Sequence, residues 1–433
     1  MKLRSLFLAA LAATAMVSCT NENDPIDEGK QVEKNAMMQF RVSFGSLAST
    51  RANETDGTAT GSKEAGLDLE QKFSEALLIA AYEGGATPVI LKKIPRDQFA
   101  PVTDPNTTDG KYYQSAPFEV TAGTVKAYVV LNPGTLSTTT LTGNKTPAQV
   151  EDALKALQLT VLPALEHSFV MYGAAAATTV LADKTTTAVT VAVDRVVAKL
   201  KEETPSDKTS ATVSKNFDDV ALAASVTVTL QGYEFTNLTD KSHLVYQASP
   251  MVSTFVSGSV FNGVTVPSSF DYAKTLGAPS ATTQITYCWE NDNAETTADK
   301  GDKITSIIYK GQITIAGTGH SVGENVYVYN NKAYNFAELH AELPGLALTD
   351  TSTIAEFDAI GIFKYESGLC YYRRPILTGN EQKKISRNNV YKLSVTAINT
   401  IGFPTPIPPA KKTMLQLYIE VNEWTVNMNA FDL

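Results

Sequence analysis

The residues that could support chemistry are few and widely separated. The 433-residue chain has four His and three Cys, and no histidine has a Cys or another His close to it in the sequence. A multi-histidine metal centre is therefore not expected. Neither an H-E-x-x-H motif nor a Walker loop occurs, and Gly317–Gly323 has the wrong spacing for a dinucleotide loop, so it is interpreted as a hairpin turn. These observations predict a protein that is not an enzyme and uses no cofactor and no metal.

Cys19 has the clearest chemical context of the three cysteines. Two basic residues precede an apolar run from Leu6 to Val17, which is too short to span a membrane as a mature helix. The run ends in Met-Val-Ser-Cys, which resembles the lipobox of bacterial lipoproteins. We therefore expect residues 1–18 to be a signal peptide and Cys19 to be acylated, which would make lipid the only membrane anchor of the precursor. An ordinary signal peptide with a chance cysteine is the alternative.

Cys288 and Cys370 remain once the lipidation cysteine is set aside. Two cysteines in an exported domain could form a disulfide. Both lie in strand patterns flanked by aromatic residues, so two buried free thiols are an equally good interpretation.

Composition and charge exclude several classes of protein. Lys and Arg number 36 against 45 Asp and Glu, a net charge of −9, and there is no basic stripe of the kind that binds nucleic acid. Hydrophobic residues make up 43% of the chain, enough for a sizeable core. No later segment approaches the roughly 18 apolar residues of a membrane span.

A removable strand is suggested near the N-terminus. Met38, Phe40, Val42 and Phe44 alternate with polar residues, a pattern typical of a half-buried strand. A small, polar, glycine-rich stretch containing Arg51 follows, and exposed loops of this kind are where proteases cut. The alternative is an ordinary strand followed by a loop in which the arginine is merely solvated.

The rest of the chain shows short strand patterns separated by frequent turns, among them residues 189–200 and 359–365, which favours an all-β fold. Two helices are predicted, because Thr146 with Gln149 and Asn335 with Glu338 form capping boxes. A domain boundary is predicted near residue 245, after a long strand pattern.

Several segments, taken in order, resemble the fimbrillins of type V pili, the FimA/Mfa-type major fimbrial subunits that are made as lipoprotein precursors. The matching segments are Lys126–Asn132, Phe169–Gly173, Val193–Lys199, Tyr287–Asn291, Gly368–Tyr372, Ser386–Leu393, Ile398–Pro404 and Val421–Trp424. Each motif is weak alone, but their order covers nearly the whole chain.

The resemblance implies two tandem transthyretin-like β-sandwich domains with short helical insertions. It divides the chain into a signal peptide (1–18), a propeptide with the removable strand (19–51), an N-terminal domain (52–245) and a C-terminal domain (246–433). It also implies export to the cell outer membrane and cleavage between Arg51 and Ala52 by an Arg-specific protease.

Such a cleavage would allow a strand to be removed from a sheet. Loss of the strand 38–44 would leave unpaired backbone groups that template another strand. At the C-terminus, Trp424, Val426, Met428 and Ala430 alternate with polar residues and could supply that strand from a neighbouring copy. Such contacts are head-to-tail and build a filament. Local pairing of residues 421–433 within their own domain is the alternative.

The leading hypothesis is a shaft subunit of an extracellular fimbrium that supports adhesion. Its partners would be other copies of itself, accessory pilins and the Arg-specific protease, with an unknown host or bacterial surface ligand. A tip or minor fimbrial adhesin is the second hypothesis. A non-polymerising glycan-binding surface lipoprotein is the third, but it would need exposed aromatic residues, and Trp289 and Trp424 both lie in strand patterns.

Overall fold

The structure is a computed structural model of the chain. It describes residues 34–44, 59–65, 70, 72–103, 111–160, 169–247, 276, 285–291, 304–376, 385–406 and 415–425. This part of the chain is mostly β, with several sheets and a few short helices.

The described strands are numbered in chain order. They are β1 (Ala36–Phe44), β2 (Ala59–Ala65), β3 (Glu75–Tyr82), β4 (Ile90–Pro95), β5 (Phe99–Thr103), β6 (Lys111–Ser115), β7 (Phe118–Val120), β8 (Gly123–Leu131), β9 (Gln158–Leu159), β10 (Met171–Ala174), β11 (Thr178–Val180), β12 (Thr186–Arg195), β13 (Val197–Glu202), β14 (Ser210–Lys215), β15 (Ala221–Thr236), β16 (Ser242–His243), β17 (Ile285–Trp289), β18 (Ser306–Ile315), β19 (Val326–Tyr329), β20 (Lys332–Tyr334), β21 (Phe363–Tyr365), β22 (Leu369–Pro375), β23 (Asn389–Ile398) and β24 (Leu415–Thr425). The helices are α1 (Pro147–Ala156), α2 (Phe336–Glu342) and α3 (Ile354–Asp358).

The two predicted capping boxes begin α1 and α2. The Thr146 side chain accepts a hydrogen bond from the Gln149 amide, and the Gln149 side chain accepts one from the Thr146 amide. Asn335 and Glu338 form the same reciprocal pair. Each cap satisfies amide groups that have no partner inside the helix, so both helices begin where the sequence predicts. No helix in the described residues is long and apolar enough to cross a membrane.

The strands form one large sheet and several smaller ones. The largest runs β4-β3-β8-β10-β12-β1-β6-β5, with β11 paired to β8 and β7 paired to β1. The next two are β17-β13-β23-β24-β2 and β14-β15-β18-β22. A three-stranded sheet, β20-β19-β21, lies with α2 and α3 around a small apolar cluster of its own.

Two separate hydrophobic cores underlie these sheets. The first core lies on the largest sheet and includes Met38, Phe40 and Val129. The second core includes Tyr309 and Tyr391 and lies on the sheets that contain β18 and β23. Along the chain, the change from the first core to the second falls inside β13, where Val197 belongs to the first and Ala198 to the second, and Leu244, Trp289 and Val390 later return to the first core. The predicted boundary near residue 245 stays a prediction.

Candidate functional site: a central strand that precedes the predicted cut

β1 lies inside the largest sheet and not at its edge. It runs parallel to β12 over eight successive pairs, from Met37 opposite Thr186 to Phe44 opposite Val193. On its other side it pairs antiparallel with β6 and then with β7. Both edges of β1 are therefore used for strand pairing.

The apolar row predicted for this strand faces the first core. Met38, Phe40 and Val42 are all 0% exposed, whereas Phe44 is half-buried at the end of the strand. Phe40 is stacked on Phe118 with 6.3 Å between the ring centroids. Burying side chains of this size contributes about 1.5–3 kcal/mol each, so the row is a major part of the first core.

Side chains fix the register of β1 where β6 ends and β7 begins. The buried Ser115 hydroxyl accepts a hydrogen bond from the Phe40 amide at 3.0 Å and donates one to the Ala116 carbonyl at 3.1 Å. Arg41 donates from Nε to the Gln114 side-chain oxygen at 2.8 Å. The Phe40 amide lies between the part of β1 that pairs with β7 and the part that pairs with β6. Without the serine hydroxyl this amide would be a buried donor with no acceptor.

Removal of β1 would thus divide the largest sheet. β12 would lose its parallel partner over Thr186–Val193, and β6 and β7 would lose their shared partner. The first core would lose the buried side chains of Met38, Phe40 and Val42. A long apolar groove with unpaired backbone groups on both sides favours capture of another extended strand.

The C-terminal strand pairs inside its own chain. β24 runs antiparallel to β23 from Asn389 opposite Glu423 to Ile398 opposite Leu415, and it runs parallel to β2 on its other side. Trp424, the first residue of the predicted donor row, lies in this strand opposite Glu64. Strand β2 and its pairing with β24 were missed from the sequence, because the segment contains glycine, alanine and charged residues that are depleted in strands.

Six of the predicted site residues lie outside the described residues. They are Cys19, Arg51, Ala52, Val426, Met428 and Ala430. Their lipidation, cleavage and donor roles stay predictions.

The two remaining cysteines are buried free thiols. Cys288 lies in β17 and Cys370 in β22, with 1% and 0% of their surface exposed. Burial raises the pKa of each thiol to about 12. A protonated and inaccessible thiol is a poor nucleophile, so both side chains act as small apolar members of the second core.

A buried ion pair connects the segment after β2 to the sheet that contains β24. Lys199 Nζ lies 2.8 Å from Glu70 Oε1, with 2% and 1% of the two side chains exposed. The Tyr287 hydroxyl donates to the same carboxylate, and Arg195 Nε donates to the Glu70 carbonyl at 3.1 Å. Periodicity arguments do not reveal such a pair, because the partners are far apart in sequence. Removing one partner of a buried pair strongly destabilises a protein, since the other charge remains buried.

Residues Gly319–Gly323 match the pattern G-x-S-x-G, which the sequence reasoning overlooked. In hydrolases this pattern places a serine on a sharp turn from a strand to a helix. Here it lies in the loop between strands β18 and β19. His320 contacts two carboxylates, with Nδ1 3.2 Å from Glu324 and Nε2 3.4 Å from Glu338. The segment is a turn, but the predicted hairpin is wrong, because β18 and β19 lie in different sheets.

Comparison with known proteins supports the predicted resemblance. Residues 363–430, which run from β21 past β24, match the family described as major fimbrial subunit protein type IV, fimbrillin, C-terminal. The resemblance to fimbrillins is confirmed. The matching region thus includes β23, β24 and the whole predicted donor row from Trp424 to Ala430. A search of curated protein sequences gave no match.

Solved structures resemble this chain over most of its length. A candidate cell adhesion protein from Parabacteroides distasonis has a TM-score of 0.51 at 14% identity, over 90% of this chain and 99% of that one. A fimbrilin, FimA, from Porphyromonas gingivalis gives 0.45 at 16% identity, over 92% and 99% of the two chains. The tip fimbrial protein Mfa3 of Porphyromonas gingivalis gives 0.42 at 12% identity, over 90% and 100%.

Proposed function

We propose that this chain is a shaft subunit of a surface pilus and that it polymerises by strand exchange. The observation that carries the proposal is the position of β1: a strand central to its sheet lies directly before the predicted cut at Arg51. Because the strand is buried on its core face and paired on both edges, the precursor has no open groove there. Cleavage would convert a closed subunit into one that accepts a strand.

The geometry of β1 defines what an incoming strand must satisfy. A donor that reuses the hydrogen bonds of β12 must run parallel to it, in the direction of β1. It must place an amide N–H opposite Ser115, so a proline at that position would be excluded. Every second side chain must be apolar, since a shift by one residue would turn polar groups into the first core. The row from Trp424 to Ala430 meets the last condition and contains no proline.

We also propose that the two cores correspond to two tandem transthyretin-like β-sandwich domains. Each core is covered by strands from more than one part of the chain, as expected for sandwiches. In this proposal the acceptor groove belongs to the first core, and the donor strand continues from a sheet of the second. Acceptor and donor then lie on different domains of one subunit, as a head-to-tail filament requires.

The test is the N-terminus and the assembly state of protein sheared from cells. The proposal expects wild-type material to begin at Ala52 and to form high-mass ladders on unboiled gels. Arg51→Ala should remain uncut and monomeric, whereas the matched Thr50→Ala chain should be cut and assemble. Filaments that begin at Cys19 would contradict strand removal.

Labelling along the filament tests the shaft role separately. An antibody to this chain, seen by electron microscopy, should label the fibre along its length. Label confined to the fibre end would favour a tip adhesin and overturn the shaft assignment.

A further inference from the structure

β2 lies along the outer edge of the C-terminal strand. In the sheet order β17-β13-β23-β24-β2 it is the terminal strand, and it runs parallel to β24. The register pairs Ala59 with Val421 and then Lys63, Glu64 and Ala65 with the three residues Glu423–Thr425, with an irregularity between the two sets. β2 therefore pairs with the end of β24, which includes Trp424, the first residue of the predicted donor row.

β2 is also held at both ends by features outside itself. Upstream, the chain passes through Arg51 to β1, whose apolar row is buried in the first core. Downstream it reaches Glu70, whose carboxylate forms the buried ion pair with Lys199 on β13. β13 and β24 belong to the same sheet, so the ion pair between Glu70 and Lys199 holds the chain after β2 against the sheet in which β2 is the edge strand.

We propose that β2 is a strap that holds the C-terminal strand in its own sheet until the chain is cut at Arg51. This inference rests on the proposed function, because it gives the same cut a second consequence. A segment joined to the fold at both ends pairs with its neighbour at a high effective concentration, and removal of one connection lowers that concentration.

The strap is suited to release once one end is free. It is a parallel edge strand with few pairs and an irregular register, and its sequence, ATGSKEA, is rich in residues that are depleted in strands. After the cut, only the downstream anchor at Glu70 remains. One proteolytic event would then open the acceptor groove in the first core and loosen the donor strand of the same subunit. A subunit would become able to give and to receive a strand at the same time.

Hydrogen exchange measured by mass spectrometry tests the strap in the purified full-length precursor before and after treatment with an Arg-specific protease. The amides of 421–425 should exchange about tenfold faster in the cut chain, since edge pairing controls their local opening. Peptides from β23, which is paired on both sides, should stay slow in both forms and serve as the internal reference. The Arg51→Ala precursor should show no acceleration after the same treatment.

Two proline variants and a control separate the backbone pairing from the side chain. Successive amides of a strand point to opposite edges, so one of Lys63→Pro and Glu64→Pro removes an amide that faces β24, and that uncut variant should exchange at 421–425 as fast as the cut wild type. Glu64→Gln retains the amide and should remain slow. Equal exchange in the uncut and cut wild type, or slow exchange in both proline precursors, would overturn the strap. Filament formation is assayed separately by the ladders, so loss of assembly with an intact exchange difference would count against the proposed function and not against the strap.

Discussion

Truncation of Phe40 should destabilise the precursor and leave the assembled filament unaffected. The ring is fully buried in the first core and stacked on Phe118 at 6.3 Å. Replacing such a ring with alanine costs about 3–5 kcal/mol, because both the transfer free energy and the contacts around the cavity are lost. The Phe40→Ala precursor should therefore show a lower free energy of unfolding of this order in guanidinium. Its filaments should dissociate at the wild-type denaturant concentration, because β1 is absent from them.

The matched control is Leu78→Ala. Leu78 lies in β3, is 0% exposed and belongs to the same core, but it follows the predicted cut. This substitution should cost about 2–5 kcal/mol in both the precursor and the filament. If Phe40→Ala weakens the filament as much as Leu78→Ala does, β1 is still present in the assembled subunit and the reasoning is refuted.

Further predictions concern one buried carboxyl and the cysteines. Burial raises the pKa of Glu202 to about 7, above its usual 4.5, so its stabilising contribution should be complete below pH 4.5 and lost as the pH rises through 7. The shift in pKa between the unfolded and folded chain corresponds to about 3 kcal/mol in the free energy of unfolding. Glu202→Gln should remove this pH dependence of the free energy of unfolding between pH 4.5 and 7, and an unchanged dependence would show that Glu202 does not cause it. Cys288 and Cys370 should resist iodoacetamide at pH 8 in the native precursor and react once it is unfolded, and native labelling would count against their burial. Cys19→Ala should abolish acyl labelling and surface delivery, whereas normal labelling would remove the lipid-anchor prediction.

The local elements of this fold were largely predictable from sequence. Alternation identified β1, and the capping pairs identified α1 and α2, because these signals depend on residues close together in the chain. The same logic missed α3, although Thr353 and Glu356 form a capping box there. A strand was predicted over 359–365, but only Phe363–Tyr365 is extended, since the preceding helix and its turn occupy the first positions.

Partners distant in sequence could not be predicted. Imperfect alternation suggested one strand over 189–200, whereas the structure ends β12 at Arg195 and starts β13 at Val197, with the two strands in different sheets. The parallel pairing of β1 with β12 joins segments that lie 149 positions apart in the sequence, as for Met37 and Thr186. Alternation predicts that a segment is a strand but carries no information on which strand lies beside it. Three features of the candidate site therefore came from the structure alone. They are the central position of β1 in its sheet, the hydrogen bond from the Phe40 amide to the Ser115 hydroxyl, and the strand β2.

The assembly state of a chain truncated after Thr425 tests strand exchange most directly. Because β24 ends at that residue, the truncation keeps the strand that pairs with β23 and β2 and removes only residues 426–433. The account predicts that this chain is exported and cut after Arg51 but gives only monomers on unboiled gels. High-mass ladders equal to those of the wild type would show that residues 426–433 are not the donor and would contradict the account.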